Sequence, residues 1–274
     1  MIDGNQRRAG IIIKGMVIGG TMMVPGASGG TMAMILGIYD KLIWSVSGFM
    51  KHKYESFLFL LLFSAGGCLG MFLLSRPVLY LLENYTLATM YFFIGAIIGG
   101  IPMIIRESKA SLFSWKRLMH ISTGVMLVLM ISMLPAGRFE SQLEMNAATA
   151  GMLAAAGFIA AAALVLPGIS VSYLLLVLGL YDETIMAISH VYMPFLVPLG
   201  AGTILGVIIT ARCLEKAMAK YPLATYSIIL GFVLGSAVQV FPGIPDCSEL
   251  LACIISASAG FAVIFGLSCK EERS

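Results

Sequence analysis

The segment PGASGGTMAMILGIYDKLI, residues 25–43, interrupts an apolar run with a proline and several glycines. A shift of 142 residues aligns it, without gaps, with PGISVSYLLLVLGLYDETI, residues 167–185. The identical positions in the first copy are Pro25, Gly26, Ser28, Leu36, Gly37, Tyr39, Asp40 and Ile43. So many identities in so short a stretch predict an internal duplication.

A second block of the chain repeats at a slightly different offset. A shift of 136 residues aligns four glycines and one arginine of the first copy with identical residues of the second. The aligned pairs are Gly66 with Gly202, Gly70 with Gly206, Arg76 with Arg212, Gly95 with Gly231 and Gly99 with Gly235. The motif YxLAT also recurs, at residues 85–89 and 221–225. We therefore predict one integral membrane domain over residues 1–274, made of a first repeat at residues 10–135 and a second at residues 146–268.

The composition is that of a membrane protein. Of the 274 residues, 59% are hydrophobic and 11% are charged, against about 25% charged residues in an ordinary soluble domain. The formal charge of +3 is small and spread over loops, which argues against a nucleic-acid partner. The five cysteines have no CxxC spacing, so no metal site is predicted. These features predict an all-α polytopic protein in a phospholipid bilayer.

Each copy is predicted to contain two apolar arms around its Pro-Gly-x-Ser break, followed by three transmembrane helices. The predicted transmembrane helices are Phe57–Ser75, Thr86–Ile105, Leu118–Leu134, Pro194–Ala211, Leu223–Val240 and Leu250–Leu267. The first arm, Ile11–Val24, would give about 21 Å of helix against a hydrocarbon core of about 30 Å, so it is too short to cross alone. The arms form either one broken crossing helix or a re-entrant hairpin.

The distribution of lysine and arginine favours the hairpin. With two hairpins, only Arg76 and Arg138 lie on the face opposite to all other lysines and arginines. With two broken crossing helices, Lys51, Lys53 and the basic cluster at residues 106–117 change sides, and the bias weakens. Each copy then crosses three times. The two repeats are therefore predicted to be inverted, with both termini cytoplasmic.

The two breaks predict a transport site. Irregular backbone at membrane depth is tolerated only where protein or a water-filled cavity surrounds it. Two hairpins that enter from opposite faces should meet near the middle, as in transporters with inverted repeats and a central site. The alternative is that proline and glycine merely kink a packed helix, but the duplicated spacing favours a site.

The residues after each proline are the predicted phosphate-binding site. A helix restarts there, and its free N–H groups resemble about half a positive charge, which suits an anion such as phosphate. The predicted contacts at the two tips are Ser28, Gly29, Gly30, Thr31, Ser170 and Ser172. Arg76 and Arg212 hold matching positions near opposite faces, either to bind a headgroup on entry or only as snorkelling interfacial arginines.

Four further residues are candidates for ion coupling or an accessory role: Lys14, Glu83, Asp40 and Asp182. A continuous helix from Ser28 would carry Asp40 about 18 Å along its axis, back to the membrane surface, where an interfacial role is the alternative. Lys14 either faces the cavity or reaches the surface. The coupling ion, proton or sodium, is left open. The glycines spaced by four residues predict close helix packing and only weakly indicate a homodimer.

Four segments of the chain resemble a bacterial family of polyprenyl-phosphate translocases of the PopT type: PGASGGTMAMILGIYDKLI, RPVLYLLENY, FIGAIIGGIPMIIRES and LPGISVSYLLLVLGLYD. The resemblance runs from about Lys14 to Gly243. It implies transport of undecaprenyl phosphate from the outer to the inner leaflet of the bacterial cytoplasmic membrane, so that this carrier lipid is reused in cell-wall and surface-polysaccharide synthesis. Members often read PGxSPSN at the second motif, where this chain has Val171, Ser172 and Tyr173.

Two other functions compete with lipid transport. A small-ion or small-solute permease could use the same fold. A membrane lipid phosphatase would need a histidine nucleophile or a clustered acid, base and metal set, which three scattered histidines do not supply. No GxxxxGK[ST] motif is present, so no nucleotide or other cofactor is predicted. The sequence thus predicts a transporter and not an enzyme.

Overall fold

The computed structural model describes residues 4–22, 24, 28–108, 115–135, 137 and 146–271. Regular secondary structure within these residues is helical, which confirms the predicted all-α class. The helices are α1 Gly4–Thr21, α2 Gly29–Ile35, α3 Tyr39–Ser47, α4 Lys53–Asn84, α5 Thr86–Glu107, α6 Trp115–Ser132, α7 Ala147–Val165, α8 Val171–Val177, α9 Tyr181–Ser189, α10 Met193–Lys220, α11 Pro222–Val240 and α12 Cys247–Glu271. Pro25, Gly26 and Arg138 lie outside the described residues.

Within the described residues, five helices are long and apolar enough to cross a membrane: α4, α5, α7, α10 and the segment Ser248–Leu267 of α12. The short helices α8 and α9 together would give a sixth, but they are bent by 111° at the turn between them. A multi-pass membrane protein is thereby confirmed. Two predicted crossings, Leu118–Leu134 and Leu223–Val240, are not among the five. Helix α6 contains Lys116 and Arg117, and the apolar part of α11 is the shorter segment Pro222–Val238.

The first arm is longer than predicted. Helix α1 has 18 residues and begins at Gly4, not at Ile11, so it is about 27 Å long. The apolar run underestimated its length because the helix continues through polar residues that precede the run. Its counterpart α7 has 19 residues and is one of the five candidate spans. Length alone therefore does not prevent either arm from crossing.

A second break follows each Pro-Gly-x-Ser motif, and the sequence prediction of a continuous helix from Ser28 missed it. Helix α2 ends in a turn at Gly37, whose φ is 65°. The N–H of Ile38 donates to the carbonyl of Ala33 at 3.0 Å, which is the bond that closes a Schellman cap. Gly179, with a φ of 72°, ends α8 in the same way. Left-handed backbone at these positions suits glycine. We call α2 with α3 the first short pair and α8 with α9 the second short pair.

Long helices in corresponding positions of the two sequence copies have corresponding partners. Helix α1 packs along α4, and α7 packs along α10. A Cβ added at Gly66 would collide with the backbone of Ile12 on α1, and one added at Gly202 would collide with the backbone of Ala154 on α7. These glycines therefore allow two pairs of helix backbones to approach closely, as their spacing predicted.

The remaining long helices join the two copies. Helix α5 of the first copy packs along α12 of the second, and α11 of the second packs along α6 of the first. A Cβ at Gly95 would collide with Ala257, and one at Gly231 would collide with Ile121. The matched glycines are therefore used in contacts within one chain, and the two copies interlock.

Candidate functional site

The two breaks line one cavity. Its volume is about 560 Å³, and it lies between the start of the first short pair, the end of α7 and the start of the second short pair. Its lining residues are Met22, Val24, Ser28, Gly29, Gly30, Ala163, Leu164, Ile169, Ser170, Val171, Ser172, Tyr173, Leu176 and Tyr181. We call this space the tip cavity. The structure thus brings together five of the predicted phosphate contacts.

At the first tip, Ser28 is the N-cap residue of α2. Its side chain makes no capping hydrogen bond, unlike a usual serine cap, whose oxygen accepts from the backbone two or three residues on. Thr31, the remaining predicted contact at this tip, does not line the cavity: it is 2% exposed, and its hydroxyl has no hydrogen-bond partner within the described residues. The first tip therefore retains unused donors.

At the second tip, the corresponding serine, Ser170, makes a capping hydrogen bond. Ser170 Oγ accepts a hydrogen bond from the N–H of Tyr173 at 3.3 Å and so caps α8. The Tyr173 hydroxyl donates to the carbonyls of Ser132, at 2.7 Å, and Leu134, at 3.0 Å, at the end of α6. Tyr173, one of the positions at which this chain departs from the PGxSPSN pattern, therefore attaches the second tip to the first copy.

The two tips touch at a glycine and a proline. A Cβ added at Gly30 would lie 3.0 Å from Cα of Pro167, closer than ordinary van der Waals contact. At the neighbouring Gly168, φ is +85°, and a Cβ would collide with the carbonyl of Phe232 on α11. Small residues are therefore required where the first tip meets the second, and where the second tip meets α11.

The donor groups of the tip cavity are neutral. None of the described residues that line it carries a charged side chain. Because the second break limits α2 and α8 to seven residues each, their helix dipoles are weaker than those of the longer helices that the sequence predicted. An anion here would be held by hydroxyl and N–H groups of Ser28, Gly29, Gly30 and Ser172. Such binding offsets only part of the cost of desolvating a charge, and weak binding allows release.

The predicted arginines lie outside the tip cavity. Arg76 is exposed on α4, and Arg212 is exposed on α10. Arg212 Nε donates to the carbonyl of Ser47, the last residue of α3, at 3.3 Å. This bond satisfies a carbonyl at a helix end. Neither arginine is among the residues that line the cavity.

The candidate coupling residues are dispersed. Lys14 is half-buried on α1, and Glu83 and Asp182 are exposed. Asp40 accepts a hydrogen bond from the Tyr226 hydroxyl at 2.7 Å and borders a small pocket that Glu107 also lines. The structure therefore brings none of the four to the tip cavity.

Sequence reasoning missed two matched tyrosines. Tyr39, at the start of α3, is 1% exposed, and its hydroxyl donates to the carbonyl of Val165 at 2.7 Å. Val165 is the last residue of α7, directly before the second break. Its counterpart Tyr181 is 36% exposed and lines the tip cavity. The identity of the two tyrosines in the repeat was the available signal.

Known proteins resemble this chain over most of its length. Residues 18–252 match the model of a family described as VCA0040-like, undecaprenyl phosphate translocase-like. The chain is 36% identical over 244 residues to the polyprenyl-phosphate transporter of Staphylococcus aureus, with 85% of this chain and 86% of the relative covered. It is 26% identical over 244 residues to the polyprenyl-phosphate transporter of Vibrio cholerae, with 84% and 76% covered.

No solved structure gives a significant match. The family and both relatives are described as translocases or transporters, which bears out the prediction that the chain is not an enzyme. The family match covers most of the chain. This chain is therefore a member of the undecaprenyl phosphate translocase-like family.

Proposed function

We propose that the protein transports undecaprenyl phosphate from the outer to the inner leaflet of the bacterial cytoplasmic membrane, so that the lipid carrier returns to cell-wall and surface-polysaccharide synthesis. The names of its two relatives support a polyprenyl phosphate as the substrate. The relatives support the class of lipid, and the geometry of the chain supports the location of the binding site. The direction and the membrane follow the family resemblance. The one-sided distribution of lysine and arginine supports the proposed orientation of the chain in the membrane.

The observation that carries the proposal is that residues from both breaks line the tip cavity. The phosphate is held there by the hydroxyls of Ser28, Ser170 and Ser172 and by the backbone at Gly29 and Gly30. Thr31 lies in the same turn of α2 and does not line the cavity. A volume of about 560 Å³ accommodates a phosphate group with water but not a chain of many isoprene units.

The polyprenyl tail stays in the bilayer during transport. Moving it through a polar path would cost about 0.8 kcal/mol for each CH₂ group removed from lipid. The protein therefore has to lower only the cost of moving the headgroup. Arg76, exposed on α4, attracts the phosphate near the outer entrance before it reaches the tip cavity, and Arg212, exposed on α10, assists at the inner entrance.

The proposed architecture is two inverted repeats, residues 10–135 and 146–268, each with a re-entrant hairpin and three transmembrane helices. The matched packing of α1 with α4 and of α7 with α10 supports the equivalence of the repeats. The 111° bend between α8 and α9 supports a re-entrant path for the second short pair. In this topology both termini are cytoplasmic. Lys14, Glu83, Asp40 and Asp182 remain the candidates for coupling to protons or sodium.

The test is leaflet exchange of labelled undecaprenyl phosphate in proteoliposomes. The native protein should accelerate exchange, and Ser28→Ala combined with Ser172→Ala should slow it, because both changes remove hydroxyl donors from the tip cavity. Gly151→Ala is a matched control, since a Cβ there meets nothing within 4 Å. Exchange at the rate of protein-free vesicles would contradict the proposal.

The same vesicles distinguish the alternatives. Uptake of a small solute or ion without lipid exchange would indicate a permease. Release of inorganic phosphate from the lipid would indicate a phosphatase.

A further inference from the structure

A further pocket lies at the opposite end of α1 from the tip cavity. Its volume is about 320 Å³, and it is enclosed by the starts of α1 and α4 and by α3. Its lining residues are Arg8, Ile11, Lys41, Trp44, Ser45, Glu55, Leu58, Phe59 and Leu62. We call it the base pocket. Ile11 precedes Met22 of the tip cavity by eleven residues, which is about 17 Å along a helix.

The base pocket combines positive charge with an unused buried donor. Arg8 and Lys41 line it, and among the described contacts neither has a carboxylate partner. The Lys41 ammonium lies 5.0 Å from the centre of the Phe59 ring. Ser45 is 0% exposed, and its hydroxyl has no hydrogen-bond partner within the described residues. Two cations and an unpaired hydroxyl suit an anionic group with several acceptor oxygens.

The rest of the pocket suits a lipid. Leu58, Phe59 and Leu62 of α4 form an apolar wall. Outside the pocket, Phe57 and Leu61 on the same helix are 56% and 52% exposed. Trp44 stacks on His52 with ring centres 5.1 Å apart, and tryptophan is typical of the depth at which lipid headgroups lie. The charged end of the pocket therefore adjoins an apolar surface along which a tail could lie.

The second copy lacks these features. At the offset of 142, Ala150, Glu183, Met186 and Ala187 stand where the first copy has Arg8, Lys41, Trp44 and Ser45. A requirement of the repeated fold would appear in both copies. A general preference for basic residues on one face explains the cations, but it explains neither the cavity nor the buried Ser45 hydroxyl.

We propose that the base pocket binds the headgroup of a lipid phosphomonoester on the membrane face at which α1 begins. The identity of this lipid rests on the proposed function, in which the base pocket receives the polyprenyl phosphate after it leaves the tip cavity. A phosphomonoester carries about 1.5 to 2 negative charges near neutral pH, which matches Arg8 and Lys41 better than the single charge of a phosphodiester does.

Tryptophan fluorescence tests the proposal directly. The chain has two tryptophans, and Trp115 is 77% exposed at the start of α6, so Trp115→Phe leaves Trp44 as the reporter. Purified full-length Trp115→Phe protein in detergent is titrated with farnesyl phosphate. We expect a saturable change in Trp44 emission that neither farnesol nor inorganic phosphate produces at the same concentrations.

Charge variants on the same background sharpen the test. Arg8→Gln with Lys41→Gln should raise the half-saturating concentration of farnesyl phosphate at least tenfold. Glu55→Gln should lower it severalfold, because among the described lining residues Glu55 carries the negative charge. Variants that move in opposite directions cannot both be explained by misfolding. Ser28→Ala should slow lipid exchange in vesicles but leave the Trp44 titration unchanged.

Several results would overturn the proposal. An equal response to farnesol would show a purely apolar site, and an equal response to inorganic phosphate would show a free-phosphate site. An equal response to phosphatidylglycerol would show a general phospholipid site. If the double variant has an unchanged half-saturating concentration of farnesyl phosphate, Arg8 and Lys41 do not contribute to binding. If the titrations give the expected results but vesicles show no lipid exchange, binding at the base pocket is supported and the proposed transport function is contradicted.

Discussion

The two short pairs carry the same Leu-Gly-x-Tyr-Asp turn in different surroundings. In the first pair, Tyr39 is 1% exposed and donates a hydrogen bond to Val165, and the residues from Thr31 to Ile35 are buried. In the second pair, Tyr181 is 36% exposed beside the tip cavity, and α8 has no buried residue. Since the turn sequence is shared, the difference comes from packing against the rest of the chain.

This asymmetry indicates how a duplicated fold could operate. The first short pair is docked: α3 packs on α10, and α2 packs on α5 and α7. The second pair leaves a cavity. If the repeats are equivalent, the reverse arrangement has the second pair docked and the first pair next to the cavity. Exchange between two such arrangements is the movement expected of inverted-repeat transporters.

The largest expected effect comes from separating the two tips. Gly30→Val places two methyl groups beyond a Cβ position that is already 3.0 Å from Cα of Pro167, and it narrows the tip cavity. We expect undecaprenyl phosphate exchange in proteoliposomes to fall at least tenfold. Gly200→Val is the matched control, because nothing lies within 4 Å of a Cβ at Gly200. Similar rates for both variants would show that contact between the tips is not required.

The next effect is on stability, and it distinguishes the buried Tyr39 from the exposed Tyr181. Tyr39→Phe leaves the buried carbonyl of Val165 without its donor, which costs about 1–3 kcal/mol. Tyr181→Phe removes a hydroxyl for which no hydrogen bond is described, so its cost should stay below about 0.5 kcal/mol. Thermal unfolding in detergent measures both. Equal melting temperatures for the two variants would mean that the asymmetry does not persist in solution.

A smaller effect separates the two serines. Ser170→Ala removes the cap of α8, and we expect a loss of about 0.5–2 kcal/mol in stability as well as slower exchange. Ser28→Ala removes a hydroxyl that caps nothing, so exchange should slow severalfold with an unchanged melting temperature. Parallel measurement of melting and exchange checks this. A lower melting temperature for Ser28→Ala would show that the first tip is also capped.

The smallest effect on lipid exchange is expected from substitution of Arg76, the arginine proposed to lie near the outer entrance. Arg76→Ala should raise the lipid concentration for half-maximal exchange by no more than about fivefold, since an exposed charge contributes about 1 kcal/mol or less. Arg76→Lys should restore most of the loss, because attraction at an exposed site depends mainly on charge. The maximal rate should not change. A reduced maximal rate with a normal half-saturating concentration would place Arg76 in the transport step instead.

The repeated motif predicted which residues share a site. Ser28 and Ser170 are 142 positions apart, yet both line the tip cavity. Both breaks could be located in the sequence because proline and glycine mark interruptions of a helix regardless of what surrounds them. The second break also has a sequence signal. Glycine followed by an apolar residue is a common helix ending, and both copies have this pattern, at Gly37 and at Gly179.

Other features depend on tertiary packing and could not be read from one sequence. The start of α1 at Gly4 was missed because hydropathy records only the apolar part of a helix. The partner of Arg212 is a backbone carbonyl at the end of α3, and carbonyls have no sequence signature. The docking of Tyr39 and the exposure of Tyr181 involve identical residues, so no pattern within the repeat could distinguish them.

The interlocked packing of the two copies has a consequence for biogenesis. Helix α5 is made well before its partner α12, and α6 is made well before its partner α11. The packing faces of α5 and α6 therefore remain in lipid or against other membrane proteins until these partners have been inserted. Contacts so distant in sequence make assembly slow. A nascent chain truncated after α10 should accordingly remain a target for membrane quality-control proteases.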